Sequence, residues 1–110
     1  MATSGTGQTL EDAGLEVIRV NKVWEGEPHI VDHIRRNDIQ LIINTPLGKS
    51  ARDDDYMIRR AAIEQNIPCI TTLSAAWSAV KAIHALKNEG REISVKSLQE
   101  WHETLKEARV

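Results

Sequence analysis

The sequence has little cysteine, little net charge and no long apolar run, and each shortage excludes a class of protein. The single cysteine, Cys69, excludes an internal disulfide and fits a reduced compartment. Fourteen Lys and Arg against 16 Asp and Glu give a net charge of −2, which provides no electrostatic surface for nucleic acid. No apolar run approaches the roughly 20 residues that span a bilayer, and the N-terminus is polar rather than like a signal peptide. We therefore expect neither a nucleic-acid partner nor a membrane partner.

The composition that is present is typical of a globular protein. Apolar residues make up 41% and charged residues 27% of the 110 residues, which is the length of one small domain. A chain of this size can bury a core without disulfide or metal staples.

Apolar patterning predicts alternating helices and strands. Short apolar runs predict strands at residues 15–20, 39–43 and 67–71. Helical spacing and capping signals predict helices at residues 8–13, 28–36, 54–65, 74–88 and 97–108. This alternation predicts an α/β fold, a three-layer α/β/α arrangement with a parallel sheet.

Capping residues and apolar stripes define these helices further. Thr6 and Ser74 are predicted N-caps, Gly14 and Gly90 are predicted C-terminal stops, and Ser97 opens a capping box with Glu100. The predicted inward face of the third helix consists of Tyr56, Met57, Ile58, Ala61 and Ala62. That of the fourth helix consists of Ala76, Ala79, Val80, Ile83 and Leu86.

The first candidate ligand loop is the hydroxyl-rich segment Thr3, Ser4, Gly5 and Thr6, which opens the first predicted helix. Small residues at a helix N-terminus present backbone N–H groups and a favourable dipole to an anion, so this segment is a candidate phosphate-binding loop. The alternative is a capped turn without a ligand.

Two further polar loops follow predicted strands, where ligands of parallel sheets bind. After the first strand, Lys22 offers a positive charge to a phosphate, and Trp24 offers a ring that can stack on a base. After the second strand, Asn44 and Thr45 offer an amide and a hydroxyl. The alternatives are a solvated lysine, a packed tryptophan and a common turn, but the three loops are expected to converge on one edge of the sheet.

Other polar clusters are not predicted to be sites. His29 and His33 have a spacing that can bind zinc, yet no further ligand pattern accompanies them, so we predict no metal. The acidic run 53–55 is interpreted as a helix start, and Cys69 as an inert core residue. No pair of nucleophile and base stands out, so no catalytic residue is predicted.

Four strings in order along the chain resemble a known family. They are ATSGT at 2–6, VNKVWEGEPHIVDHI at 20–34, IINTPLGKSARDDDYMIRRAA at 42–62 and TTLSAAWSAVKAI at 71–83. Together they resemble the C-terminal regulatory domain of the carbamoyl-phosphate synthase large chain, which has the methylglyoxal-synthase-like fold. ISVKSLQEWH at 93–102 also resembles the C-terminus of some such chains.

The resemblance implies a flavodoxin-like α/β/α fold that here lacks the first strand and helix of the family. It implies an effector-binding domain over residues 1–90 and a helical tail over residues 91–110. Because the missing strand lies in the middle of the family's sheet, an exposed sheet edge and self-association are expected.

The resemblance also implies a function. The family domain binds nucleotide effectors, UMP and IMP, and carries out no catalysis itself. The parent enzyme is a cytoplasmic ligase that uses ATP and Mg, and it makes carbamoyl phosphate for pyrimidine and arginine synthesis. The implied partners are the ATP-grasp domains of the large chain and a glutaminase small subunit, and this segment itself needs no cofactor.

Matching positions imply roles for single residues. Thr3 and Thr6 contact the effector phosphate with help from the Gly5 backbone, Lys22 approaches it, and Asn44 and Thr45 line the same pocket.

One departure from the family pattern lies beside this pocket. Pro46 stands where the family often has a second threonine.

Two alternatives remain. Methylglyoxal synthase, a phosphate-eliminating lyase, has an aspartate and a histidine where this chain has Thr45 and Arg52, and arginine is no general acid at neutral pH. A stand-alone nucleotide-sensing module would share the pocket but not the parent enzyme.

Overall fold

The computed structural model describes residues 1–46 and 50–108, without the side chains of residues 50–53. The helices are α1 (Ser4–Asp12), α2 (Ile30–Arg35), α3 (Ser50–Glu64), α4 (Leu73–Asn88) and α5 (Leu98–Glu107), and the strands are β1 (Ile42–Ile43) and β2 (Cys69–Ile70). A 3-10 turn covers Val23–Glu25. Helices combined with a parallel pair of strands confirm the predicted α/β class.

The sheet consists of β1 and β2, which pair in parallel with Ile42 opposite Cys69 and Ile43 opposite Ile70. The Ile42 N–H donates to the Pro68 carbonyl at 2.9 Å, and the Asn44 N–H donates to the Ile70 carbonyl at 2.8 Å. Two of the three predicted strands are thus confirmed, although each is shorter than its apolar run. Their carboxyl ends lie at the same edge of the sheet because the strands are parallel.

The prediction of a strand at residues 15–20 is wrong. Only Arg19 takes part in a parallel bridge there, opposite Ala2. The Ala2 N–H donates to the Ile18 carbonyl at 2.9 Å, and the Val20 N–H donates to the Ala2 carbonyl at 3.0 Å. A bridge of one residue does not extend into a ladder, so the rest of this apolar run stays irregular and Ile18 is exposed.

The core lies between α2, α3 and β1. Val31 and Ile34 of α2 are fully buried, and they share an apolar cluster with Ala61 and Ala62 of α3 and Ile42 of β1. The small alanine side chains let the two helices approach closely. The predicted inward face of α3 is confirmed at Ile58, Ala61 and Ala62, which are buried, and Met57 packs against the cluster.

The prediction that Tyr56 faces inward is wrong, because its side chain is 65% exposed. Its ring lies outside the narrow stripe of α3 that meets the cluster. The predicted inward face of α4 is also wrong: α4 has no buried residue, and Val80, Ile83 and Leu86 are exposed. The stripe on α4 has helical spacing, but amphipathic spacing alone does not supply a surface to pack against.

The chain divides into two units, Met1–Ala76 and Trp77–Val110. The apolar cluster belongs to the first unit. In the second unit, the ammonium of Lys81 lies over the Trp77 ring at 5.4 Å and that of Lys96 over the Trp101 ring at 5.2 Å. These cation–π contacts cover exposed indole rings.

Most predicted helix ends are confirmed. Gly14 and Gly90 adopt positive φ angles of 87° and 65° just past α1 and α4, which is the usual glycine stop. Asn37, with φ of 60°, follows the end of α2. Ser97 accepts a hydrogen bond from the Glu100 N–H at 3.2 Å, and the Glu100 carboxylate accepts from the Ser97 N–H at 2.6 Å, so the capping box is confirmed.

Besides α3, which begins at Ser50 rather than at the predicted residue 54, three predicted helix starts are displaced. The N-cap of α1 is Thr3, and Thr6 lies inside the helix. The N-cap of α2 is His29, so Pro28 precedes the helix. Ser74 lies inside α4, and the Thr72 hydroxyl accepts from the Ala75 N–H at 3.1 Å. The Thr72 hydroxyl thus caps α4, whereas Thr3 makes no side-chain capping bond at the start of α1.

Lowering the pH is expected to weaken the start of α5. Hydrogen bonds from the backbone and side chain of Ser97 hold the pKa of Glu100 below its ordinary value of 4.5. Because the folded-state pKa is depressed, the stabilisation is present above that ordinary value and is lost as the pH falls through the folded pKa. The Ser97 amide proton shift, followed by NMR between neutral pH and strong acid, measures this. In Glu100→Gln, which keeps an acceptor but does not titrate, the shift should be flat, and an equal response in both proteins would contradict the interpretation.

Candidate functional site

The N-terminus of α1 presents free backbone donors. The Gly7 N–H donates to the Thr3 carbonyl at 2.7 Å, which is the first helical bond. The N–H groups of Ser4, Gly5 and Thr6 precede that bond, and all three residues are exposed. The Thr3 side chain makes no capping bond to them. The segment therefore has the donor arrangement that binds anions.

Arg19 holds this helix in place, and the sequence analysis did not identify it. Its Nε donates to Glu11 Oε1 at 2.9 Å and its Nη2 to Glu11 Oε2 at 2.7 Å, while Nη1 donates to the Ser4 carbonyl. The paired guanidinium holds the pKa of Glu11 below its ordinary value. Arg19 thus connects the first turn of α1 to the segment that carries Lys22.

Gly7 permits this arrangement. A Cβ atom on Gly7 would lie 2.7 Å from Arg19 Nη1 and 2.9 Å from its Cδ and Cζ. A glycine inside a predicted helix is the sequence signal for such a close approach.

Lys22 and Trp24 lie on a turn that is anchored by the residue between them, Val23. Val23 is buried in the apolar cluster, whereas Lys22 is exposed and Trp24 is 76% exposed. The Lys22 N–H donates to Glu25 Oε2 at 2.9 Å, which closes the turn. Both predicted side chains are therefore available to a ligand.

Thr45 borders a cleft of about 280 Å³ at the carboxyl ends of β1 and β2. The cleft is lined by Thr45, Pro46, Thr71, Thr72, Leu73 and Ser74. Thr45 was predicted from the sequence, whereas the hydroxyl residues after β2 were not. Their signal was available, since Thr71 ends a predicted strand and Thr72 follows it, much as Asn44 and Thr45 follow another. Residues 47–49 of the predicted third loop lie outside the described residues.

Asn44 is tied to α3 through an acidic residue. Its Nδ2 donates to Asp55 Oδ1 at 2.7 Å, and Arg59 Nε donates to the same oxygen at 2.8 Å. Asp55 therefore holds the side chain of a predicted site residue. The interpretation of the acidic run as the helix start is wrong, because α3 begins at Ser50 and Asp55 lies inside the helix.

The structure brings the predicted loops together in pairs. Ala2 and Arg19 lie side by side in parallel, so the loop Thr3–Thr6 and the turn with Lys22 leave from the same end of that pair. In the same way, Asn44 and Thr45 leave β1 beside Thr71 and Thr72 leaving β2.

His29 and His33 lie beside different carboxylates. His29 Nδ1 lies 3.4 Å from Asp32 Oδ2, and His33 Nδ1 lies 3.2 Å from Asp38 Oδ2. Among the side chains that the structure describes, no group of three His, Cys, Asp or Glu is placed to hold a metal ion.

Burial raises the pKa of the Cys69 thiol, as is typical of an unreactive cysteine. Among the described helices, none has the length and apolar character that a membrane span requires.

The predicted loops lie in a segment of the chain that matches a known protein family. The sequence model of the MGS-like domain matches residues 1–71, which include Thr3–Thr6, Lys22, Asn44 and Thr45. This chain belongs to the MGS-like domain family. The family resemblance inferred from the sequence is thereby confirmed, and with it the α/β class of the fold.

Individual relatives are large chains of carbamoyl phosphate synthase. The one from Gemmatimonas aurantiaca is 51% identical over 96% of this chain, and the match covers 10% of that relative. The one from Rhodopirellula baltica is 48% identical over 90% of this chain and 9% of its own length. The C-terminal section from Aquifex aeolicus is 48% identical over 90% of this chain and 19% of its own length. The MGS-like chain thus spans about a tenth to a fifth of these relatives.

Proposed function

We propose that this MGS-like chain is the effector-binding regulatory segment of a carbamoyl-phosphate synthase large chain, and that its ligand is a nucleoside monophosphate such as UMP or IMP. The observation that carries the proposal is the co-linear similarity to carbamoyl phosphate synthase large chains over nearly all of this chain. Those relatives are synthases by name, and a regulatory segment of such an enzyme needs no catalytic residues of its own.

The phosphate of the effector fits the N-terminal end of α1. Three free N–H groups and the helix dipole attract an anion, and the threonine hydroxyls add donors. Lys22 adds an exposed positive charge on the adjoining segment. The exposed ring of Trp24 supplies a surface on which a base can stack.

The remaining parts of the enzyme belong to the proposal as partners. ATP-grasp domains of the large chain would use ATP and Mg, and a glutaminase subunit would supply ammonia, in the cytoplasm and for pyrimidine and arginine synthesis. This segment itself would carry no cofactor. An effector alters turnover only by binding two conformations of the enzyme with unequal affinity, so the segment would act by coupling and not by chemistry.

Replacing Lys22 with alanine is expected to weaken UMP binding by about tenfold, because a charge-assisted contact to the phosphate is lost. Titration of the isotope-labelled chain with UMP, followed by NMR, measures the dissociation constant. Lys87→Ala, which removes the same charge from an exposed position at the end of α4, is the matched control and should leave binding unchanged.

Two results would count against the proposal. One is the absence of saturable UMP binding by the unsubstituted chain. The other is an equal loss in the Lys22 and Lys87 variants, which would indicate non-specific attraction.

A further inference from the structure

The orientation of the Asn44 amide follows from its contact with Asp55. A carboxylate only accepts hydrogen bonds, so the amide atom 2.7 Å from Asp55 Oδ1 is the nitrogen. The carbonyl oxygen of Asn44 accordingly points to the other side of the amide group. None of the hydrogen bonds between described groups ends on this oxygen.

Asp55 is itself held before any ligand arrives. Arg59 lies one helical turn further along α3 and donates to the same Oδ1 at 2.8 Å. The Asp55 side chain is 17% exposed, so solvent competes little for it. The Asn44 backbone is held too, because its N–H donates to the Ile70 carbonyl at 2.8 Å. The amide is therefore oriented in advance, which reduces the entropic cost of binding.

This orientation is unsuited to a phosphate. Phosphate oxygens are acceptors, as is the free carbonyl oxygen of Asn44. A phosphate on the second N–H of the amide would lie roughly 5 Å from the Asp55 carboxylate, where like charges repel. A ligand hydroxyl or N–H group, in contrast, donates directly to the free oxygen.

We propose that Asp55 is a positioning residue which fixes Asn44 so that its carbonyl oxygen accepts from a donor on the effector, a ribose hydroxyl or a base N–H, rather than from the phosphate. The proposal rests on the proposed function and deepens it. It separates two parts of the site: the N-terminus of α1 with Lys22 binds the phosphate, and Asn44 beside the cleft selects the nucleoside.

The test compares UMP with inorganic phosphate as ligands of the same variants. Asp55→Ala is expected to weaken UMP binding about five- to tenfold and to leave phosphate binding within twofold. Asp55→Asn should restore most of the UMP affinity, because its amide oxygen still accepts from Asn44. Glu64→Ala is the matched control, since it removes the acid of another i, i+4 pair with arginine on α3, Arg60–Glu64, and should change neither ligand.

A second measurement does not depend on ligand. The side-chain NH₂ signal of Asn44 should shift in Asp55→Ala and stay in place in Glu64→Ala. Equal weakening of UMP and phosphate in Asp55→Ala, or equal effects of the Asp55 and Glu64 variants, would overturn the proposal. If the unsubstituted chain binds no UMP, the proposed function and the ligand part of this inference both fall, and the NH₂ signal still decides whether Asp55 orients Asn44.

Discussion

Replacing Ile34 with alanine is expected to lower the free energy of unfolding by about 3 kcal/mol, within the roughly 2–5 kcal/mol found for large-to-alanine changes in cores. Ile34 is 0% exposed and lies in the cluster of α2, α3 and β1. Truncation removes buried apolar surface and leaves a cavity among side chains that are held by two helices. Against a total stability of about 5–15 kcal/mol, this loss is large.

Urea unfolding followed by circular dichroism measures the change. Ile63→Ala is the matched control, because it makes the same substitution in α3 at a side chain that is 77% exposed. Its effect should stay within about 0.5 kcal/mol, as is usual for surface positions. Equal losses in the two variants would mean that the cluster around Ile34 is not the core of the first unit.

Enlarging Ala61 to leucine is expected to cost about 2–3 kcal/mol for a different reason. Ala61 is 1% exposed where α3 meets α2, so added methylene groups have no space and must displace neighbours. The increase in buried apolar area does not offset the strain, because the opposing residues, Val31 and Ile34, are already fully buried.

Ala82→Leu is the control for this prediction, since Ala82 is an exposed position of α4. It should be close to neutral in the same unfolding experiment. A neutral or stabilising Ala61→Leu would show that α2 and α3 pack more loosely than the cluster implies. The two core predictions together test the cluster by emptying it and by overfilling it.

Local signals in the sequence predicted local structure well. Gly14 and Gly90 end helices because they adopt a positive φ without a steric cost, and the capping box at Ser97 needs only residues within one turn. The strand 15–20 failed because a strand depends on a neighbour along its whole length, and only Ala2 pairs with it. The apolar stripe of α4 failed similarly, since periodicity shows that a face is apolar and not that it is covered.

In the candidate site, too, local signals were readable from the sequence and contacts between distant residues were not. Thr3, Lys22, Asn44 and Thr45 were found because each comes directly after an extended segment or before a helix, which is a property of chain order. Their roles as binding residues stay predictions until UMP is titrated. Asp55 was seen only as part of an acidic run, because its contact with Asn44 joins residues 11 positions apart.

The α/β class, the family and several helix ends were determined by the sequence alone, because they depend on spacing, caps and co-linear motifs. Only the tertiary structure decided that Arg19 holds the first turn of α1, that a Cβ on Gly7 would meet the Arg19 side chain, and that Asp55 turns the Asn44 amide. These are contacts between segments that are distant in sequence. Their geometry is set when α2 and α3 bury their shared face and the strands pair, and no local pattern records it.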